Sequence, residues 1–227
     1  MEGAPSARMR VRRHPERGVY QPEVIEAILD EAYICHVGFV ADGQPMVLPT
    51  VHARLGRKLY LHGAAANAMF TACAESSICV AATLLDGLVL ARSVYDHSMN
   101  YRSVVVVGIA HDVTDSEEKR TALRVLVDHV VPGRADDARE PKEREMRATR
   151  VLRLDLDEAS AKVRSGPPSD AEADVALPVW SGEVPLALVP SAPQPAPNLA
   201  PSIPLPDYLS PDRLLRRASR GGSRREA

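Results

Sequence analysis

The sequence predicts a mainly β domain with flanking helices, in which six or more short strands pair antiparallel and close as a barrel. Three observations predict it. Short β-rich runs are joined by turn dipeptides, Asp42-Gly43 and Asp86-Gly87 among them, and direct hairpins impose antiparallel pairing. Helical patterns interrupt the strands only after the third and after the sixth, and this many hairpin-linked strands closes most economically as a barrel. Strand–helix alternation and a Gly-x-Gly-x-x-Gly run after a strand, the marks of a parallel nucleotide-binding sheet, are absent from the sequence.

Residues 22–32 come first, with Pro22 at a helix start and Val24, Ile25, Ile28 and Leu29 at helical spacing. Residues 33–40 and 46–53 form two β-rich runs around Asp42-Gly43. After a second turn at Leu55-Gly56, residues 58–62 make a third strand, and the Ala-rich stretch 64–74 a short helix. Residues 78–84 and 88–95 are expected as a hairpin turning at Asp86-Gly87. Residues 101–113 read as a long strand whose Gly108 marks a bulge or a close approach. Asp115 or Ser116 caps the next helix, with Ala122, Leu123, Leu126, Val127 and Val130 as its apolar face. Residues 151–156 alternate as a half-buried strand, and 177–189 hold one more strand or hairpin around Trp180.

The 227 residues suit one domain with extensions. With 28 basic against 30 acidic residues the chain lacks the basic excess that non-specific nucleic-acid binding requires. No apolar run approaches the roughly 20 residues that span a bilayer, so no membrane partner is expected. Cys35, Cys73 and Cys79 are odd in number and without metal-type spacing, which fits reduced thiols and a cytoplasmic location. Nine of the 19 prolines fall at or after residue 185, so residues 190–227 are expected as a Pro/Arg-rich disordered tail and 1–16 as a flexible arm.

Metal binding finds no support in the seven histidines, which show no His-x-x-x-His pair; His36 and His52 sit in alternating strands and are expected to face solvent. Acyl transfer lacks a Gly-x-Ser-x-Gly elbow, and Cys35 and Cys79 lie in apolar strands as small hydrophobes. A phosphate or cofactor fits better. Strand 58–62 ends at His62, and Gly63 with three alanines leads to a helix whose unpaired N–H groups suit an anion. The polar run 97–103 before a very apolar strand is a second candidate site.

These motifs carry a resemblance. Leu61-His62-Gly63, the Ala-rich helix, residues 84–93, Asn100-Tyr101-Arg102-Ser103 with Gly108, Val131-Pro132-Gly133-Arg134, residues 159–168 and Leu177-Pro178-Val179-Trp180 together resemble the pyridoxamine 5'-phosphate oxidase-like superfamily. The similarity is greatest to its flavin-nucleotide-binding branch, which includes nitroimidazole-resistance reductases, and it runs from about Arg17 to Val189. It implies a six-stranded antiparallel split β-barrel over 17–189 that binds FMN, and a homodimer with two flavin sites at its interface. It implies that Pro49, Thr50 and Val51 line the isoalloxazine, and that His62, Gly63, Ala64 and Asn67 meet the ribityl phosphate. Arg92, Ser93, Asn100, Tyr101, Arg102 and Ser103 would complete the pocket, with Trp180 near the flavin and His62 as the catalytic residue beside cofactor and small-molecule substrate.

The implied activity is FMN-dependent reduction of a small organic acceptor, nitroaromatic or quinone-like. On the same barrel stand a non-catalytic flavin or haem binder, with His62 as axial ligand, and a deazaflavin-dependent reductase. Relatives carry Ser and a basic residue where this chain has Asn67-Ala68, which leaves a phosphate to backbone amides, Asn67 and Arg92 or Arg102. One lost charge-assisted hydrogen bond costs ~1.5–3 kcal/mol, one to two decades of FMN affinity. The Arg-rich C-terminal signature of vitamin B6 oxidation is missing.

Overall fold

The computed structural model describes residues 3–210 and 213–214; the Arg-rich end of the tail lies outside the described residues. Strands β1 (Gly18–Val19), β2 (Ile34–Ala41), β3 (Gln44–Leu55), β4 (Lys58–Ala64), β5 (Ser76–Leu90), β6 (Ser98–Asp112), β7 (Thr149–Asp155), β8 (Ala159–Arg164) and β9 (Gly182–Pro185) form one sheet, ordered β1-β8-β6-β7-β4-β3-β2-β5-β9. The further pairing of β6 with β5 closes β2 to β7 into a ring of six, every pairing antiparallel. That ring is the expected barrel. The helices are α1 (Pro22–Glu31), α2 (Ala68–Cys73), α3 (Ser116–Val130), α4 (Arg134–Asp137) and α5 (Glu143–Ala148).

Period-two alternation turns Cys35, Val37 and Phe39 of β2, Leu59 and Leu61 of β4, Val80 of β5, Val104 of β6 and Leu152 of β7 into one core. Ile25, Ile28 and Leu29 of α1 and Met69, Phe70 and Cys73 of α2 join that core. A second, smaller cluster lies on the other side of β3, β4 and β7, where Ala53, Tyr60 and Val151 meet Ala122 and Leu126 of α3. Asp115 starts α3 by accepting from the Glu118 amide at 2.7 Å. The β2–β3 turn sits at Asp42-Gly43, both at positive φ, the geometry that matches strand twist.

Three local expectations are corrected. Asp86-Gly87 is not a hairpin turn: β5 runs straight through it to Leu90, with a bulge between Leu85 and Gly87, and the connection to β6 is 91–97. Gly87 is flanked by β6 on one side and β9 on the other, and a Cβ there would come within 3.0 Å of the Val184 carbonyl oxygen. Pairing on both edges holds the dipeptide extended. The helix expected over 64–74 begins only at Ala68, because β7 draws Gly63 and Ala64 into the barrel opposite Arg150 and Thr149. His52 does not face solvent: it is fully buried and its Nε2–H donates to the Leu29 carbonyl at 2.9 Å. Gly108 is a close approach, a Cβ there lying 2.8 Å from Leu154 Cδ1.

Residues 3–16 are tied to the barrel: Met9 is buried, the Ser6 hydroxyl donates to Glu158, and the Val11 amide donates to the Tyr20 hydroxyl. The described tail has one 3-10 turn, Asp207–Leu209, which sets Tyr208 beside Gly133 at the start of α4.

Candidate functional site

Pairing sets one face of the barrel wall. Ala53 opposes Tyr60, Tyr60 opposes Arg153, and His62 opposes Val151, so Val51, Ala53, Tyr60, His62, Thr149 and Val151 share the side that α3 covers. Over Tyr60 the cover is tight. Its hydroxyl donates to Glu118 at 2.9 Å, and burial together with that carboxylate pushes the phenol up to about 12. Two residues further along β4 the wall and α3 part, leaving a cleft of about 840 Å3 closed at its far side by α4, the loop before α5, and Glu145. That volume is in the range of cofactor pockets.

The floor of the cleft is Val51, His62 and Thr149; its roof is Leu123, Leu126, Val127, Val130 and Val131; its rim carries Arg124, Arg134 and Arg139 with acidic neighbours. His62 is half-buried there. Its Nδ1 is sealed from solvent and has no hydrogen-bond partner among the described residues. Burial lowers its pKa, so the ring is neutral at pH 7 with a lone pair to offer. The structure therefore supplies a neutral imidazole on the wall of an apolar cleft, with one buried polar atom unsatisfied.

The other expected site residues fall into separate places. Pro49, Thr50 and Val51 follow one another on β3, and Val51 lines the cleft. Gly63 and Ala64 continue β4 beyond His62, and Gly63 faces the Phe70 ring, to which a Cβ would come within 2.5 Å. The expected phosphate cradle is largely bonded already. The Ala65 amide donates to the Ala148 carbonyl, the Asn67 amide to the Ala64 carbonyl, and the Met69 amide to Asn67 Oδ1. α2, with six residues, is too short for a strong dipole.

Asn100 and Arg102 line a second cavity, of about 680 Å3, among β5, β6, β8 and the chain after β9; it shares no lining residue with the first. Asn100 is buried, donates to Glu183 and accepts from Arg164. Arg102 holds Glu31 and Asp86 together through Nε, Nη1 and Nη2, and those bonds raise its pKa. Tyr101 opposes Leu85 and Arg164, and the Ser103 hydroxyl donates to the Lys162 carbonyl at 3.3 Å. Arg92 pairs with Asp170, and the Ser93 hydroxyl donates to Asp96. Trp180 is 64% exposed in the chain leading into β9. Within one chain, then, His62 shares a cavity with Val51 but not with Asn100 or Arg102.

Sequence reasoning missed the roof and the rim. The signal was there: the sequence gives α3 five apolar positions, but only Ala122 and Leu126 are buried, while Val127 and Val130 remain 39% and 42% exposed. A stripe wider than the core needs has a second occupant to meet.

Residues 21–163 match the family model described as pyridoxamine 5'-phosphate oxidase, well over half of the chain. The chain belongs to the pyridoxamine 5'-phosphate oxidase family. Among solved structures of related fold, the flavocytochrome Anf3 from Azotobacter vinelandii is 40% identical over 92% of this chain and 97% of that one, with a TM-score of 0.87. An FAD- and haem-binding protein from Mycobacterium smegmatis is 34% identical over 85% and 95%, with a TM-score of 0.81. A candidate 5-nitroimidazole antibiotic resistance protein from Bacteroides thetaiotaomicron is 25% identical over 64% and 86%, with a TM-score of 0.54. Among curated proteins none matches. No described helix is long and apolar enough to cross a membrane.

Proposed function

We propose that this family member is a homodimeric oxidoreductase of the cytoplasm that binds a flavin nucleotide and a haem, the haem in the α3 cleft, where His62 would hold its iron. The observation that carries the reading is His62 itself, a neutral, half-buried imidazole on the wall of an apolar cleft. Two proteins 40% and 34% identical, a flavocytochrome and an FAD- and haem-binding protein, support it. When bound, haem supplies one-electron chemistry and flavin accepts hydride and passes electrons singly or in pairs.

The chain's own residues do the rest. Neutral imidazole needs no deprotonation before it ligates iron. Leu123, Leu126, Val127 and Val130 would keep water from a porphyrin held in the cleft, which would strengthen the electrostatic contacts inside. Val51 joins the cleft to Pro49 and Val47, the bare length of β3 where a second chain and the flavin ring would meet. For the flavin phosphate, Arg92 and Arg102 are engaged by carboxylates and the Ala65 and Asn67 amides by carbonyls, so the phosphate would be held by groups other than the expected cradle. FMN and FAD are both accommodated by this reading.

A second reading is FMN-dependent reduction of a nitroaromatic or quinone, in which His62 orients the acceptor or donates a proton. The similarity to the candidate nitroimidazole-resistance protein favours it. One spectrum separates the two. Purified protein reconstituted with hemin and flavin is expected to give a Soret band as well as near-UV and blue flavin bands, and His62→Ala to lose or shift the Soret band while keeping the flavin. Flavin bands alone, with NADPH-driven nitroaromatic turnover lost in His62→Ala, would establish the second reading in place of the first.

A further inference from the structure

The rim of the α3 cleft holds three arginines in different states. Arg139 is matched to Glu145 by two bonds of 2.8 and 2.6 Å. Arg124 is bound to Asp136 at 2.5 Å and to Glu140, and reaches the Ala135 carbonyl. Each guanidinium is neutralised where it stands. Arg134 is not. Its Nη1 donates to the Tyr208 hydroxyl at 2.9 Å, its nearest carboxylate, on Asp137, is 4.0 Å away, and its side chain is half exposed. Tyr208 in turn donates to Asp137 at 2.6 Å, so the phenol stands between the two charges. Backbone geometry fixes the arrangement. Gly133 sits at φ +87°, a conformation glycine adopts without strain, and the Tyr208 ring packs 3.7 Å from where its Cβ would be.

We infer that Arg134, held at the cleft mouth by Tyr208 of the C-terminal segment, is the anchor for a carboxylate of the cofactor in this cleft, namely a haem propionate. The inference rests on the haem reading above. A planar guanidinium with Nε and Nη2 unengaged among the described residues can take a carboxylate in a forked pair. The porphyrin's apolar body would lie under α3, and its acid groups would point to the solvent edge where Arg134 stands. Asp137 is the competitor: it draws on the same guanidinium through Tyr208, and a propionate must outbid it. The same arrangement gives the C-terminal segment a task, since Tyr208 is its contact with the rim.

The test compares hemin with hemin dimethyl ester, the same ring without the acid charges, titrated into the full chain by Soret absorbance. Wild type is expected to prefer hemin roughly tenfold to a hundredfold, the range of one charge-assisted hydrogen bond. Arg134→Met should bring hemin down to the level of the ester and leave the ester unchanged, which a merely structural role would not do. Asp137→Asn, which removes the competitor and leaves the fold's packing alone, should tighten hemin and not the ester. Undiminished preference for hemin in Arg134→Met, or weaker hemin binding in Asp137→Asn, overturns the anchor while haem binding stands. A chain that gives no Soret band with either porphyrin overturns the haem reading, and the anchor with it.

Discussion

At the scale of single residues, chemistry follows from which neighbours share a row. His62 stands beside Val151 on β7 and under the apolar edge of α3, so water reaches little of it and its charged form is disfavoured. The sign for stability follows. The folded pKa lies below the unfolded value of about 6.5, so above that pH the group costs nothing. As pH falls through 6.5 the unfolded chain takes up the proton first and stability drops. Urea denaturation at pH 7 and pH 5 should show wild type losing more than His62→Gln, by an excess slope of at most about 1.4 kcal/mol per pH unit; equal losses would show that the ring is solvated. Gly63 is the other residue whose environment decides its identity. A Cβ there meets the Phe70 ring, itself buried, and the collision cannot be relieved by a swinging side chain. Gly63→Ala should cost about 1–3 kcal/mol in urea midpoint terms. Gly108→Ala should cost less, because it meets one close atom, Leu154 Cδ1 at 2.8 Å, where Gly63 meets a ring edge at 2.5 Å.

At the scale of elements, α3 does two jobs with two faces. Ala122→Leu overfills a fully buried position that does not line the cleft and should cost about 1–3 kcal/mol in stability. Val127→Gln changes a 39% exposed position and should stay within about 0.5 kcal/mol, yet weaken haem at least about tenfold by wetting the cleft roof. Apo-protein denaturation beside a Soret titration separates the two faces. The Glu31–Arg102–Asp86 tie is the second device at this scale, joining the end of α1 to the β5 bulge. Arg102→Met strands two carboxylates and should cost on the order of 2–4 kcal/mol; a loss of flavin without a loss of stability would instead return Arg102 to the cofactor site. Legibility in the sequence divides along the same line. The strands of the ring, α1 and α3 were readable because their periodicities are local. Asp86-Gly87 was not, because a turn dipeptide and a bulge look alike until β6 and β9 are both in place. The start of α2 was missed for a similar reason: β7, 85 residues on from Ala64, decides that Gly63 and Ala64 stay extended. His62 was legible as a candidate site residue from its motif, but the cleft it lines was not, since roof and rim come from α3 to α5.

At the scale of the whole molecule, the barrel has one wall left bare. α3 covers the second half of β3, while Val47 is 64% exposed and Val40, two rungs away on β2, 62%. Both lie on the side of the sheet that carries Pro49 and Val51, so the bare surface is continuous with the cleft floor. Two exposed apolar strands of this kind are a liability unless covered. In the proposed homodimer a two-fold partner would cover them with the same patch and meet each substitution twice. Val47→Asp would bury an unpaired carboxylate on each side of that contact, costing about 3 kcal/mol or more and raising the dimer dissociation constant at least about a hundredfold. The barrel core is untouched by the change, since Val47 packs outside it, so the monomer should keep the urea midpoint of its own fold. Sedimentation equilibrium is expected to show monomers at micromolar concentration. Flavin should be lost with the partner, because the ring would rest on β3 of one chain and be closed in by the other. Haem should be retained, because floor, roof and rim of its cleft all come from a single chain. A Val47→Asp protein that stays dimeric and keeps its flavin would move the interface to another face of the barrel. One that loses both cofactors together would mean that the α3 cleft is completed across the two-fold axis as well.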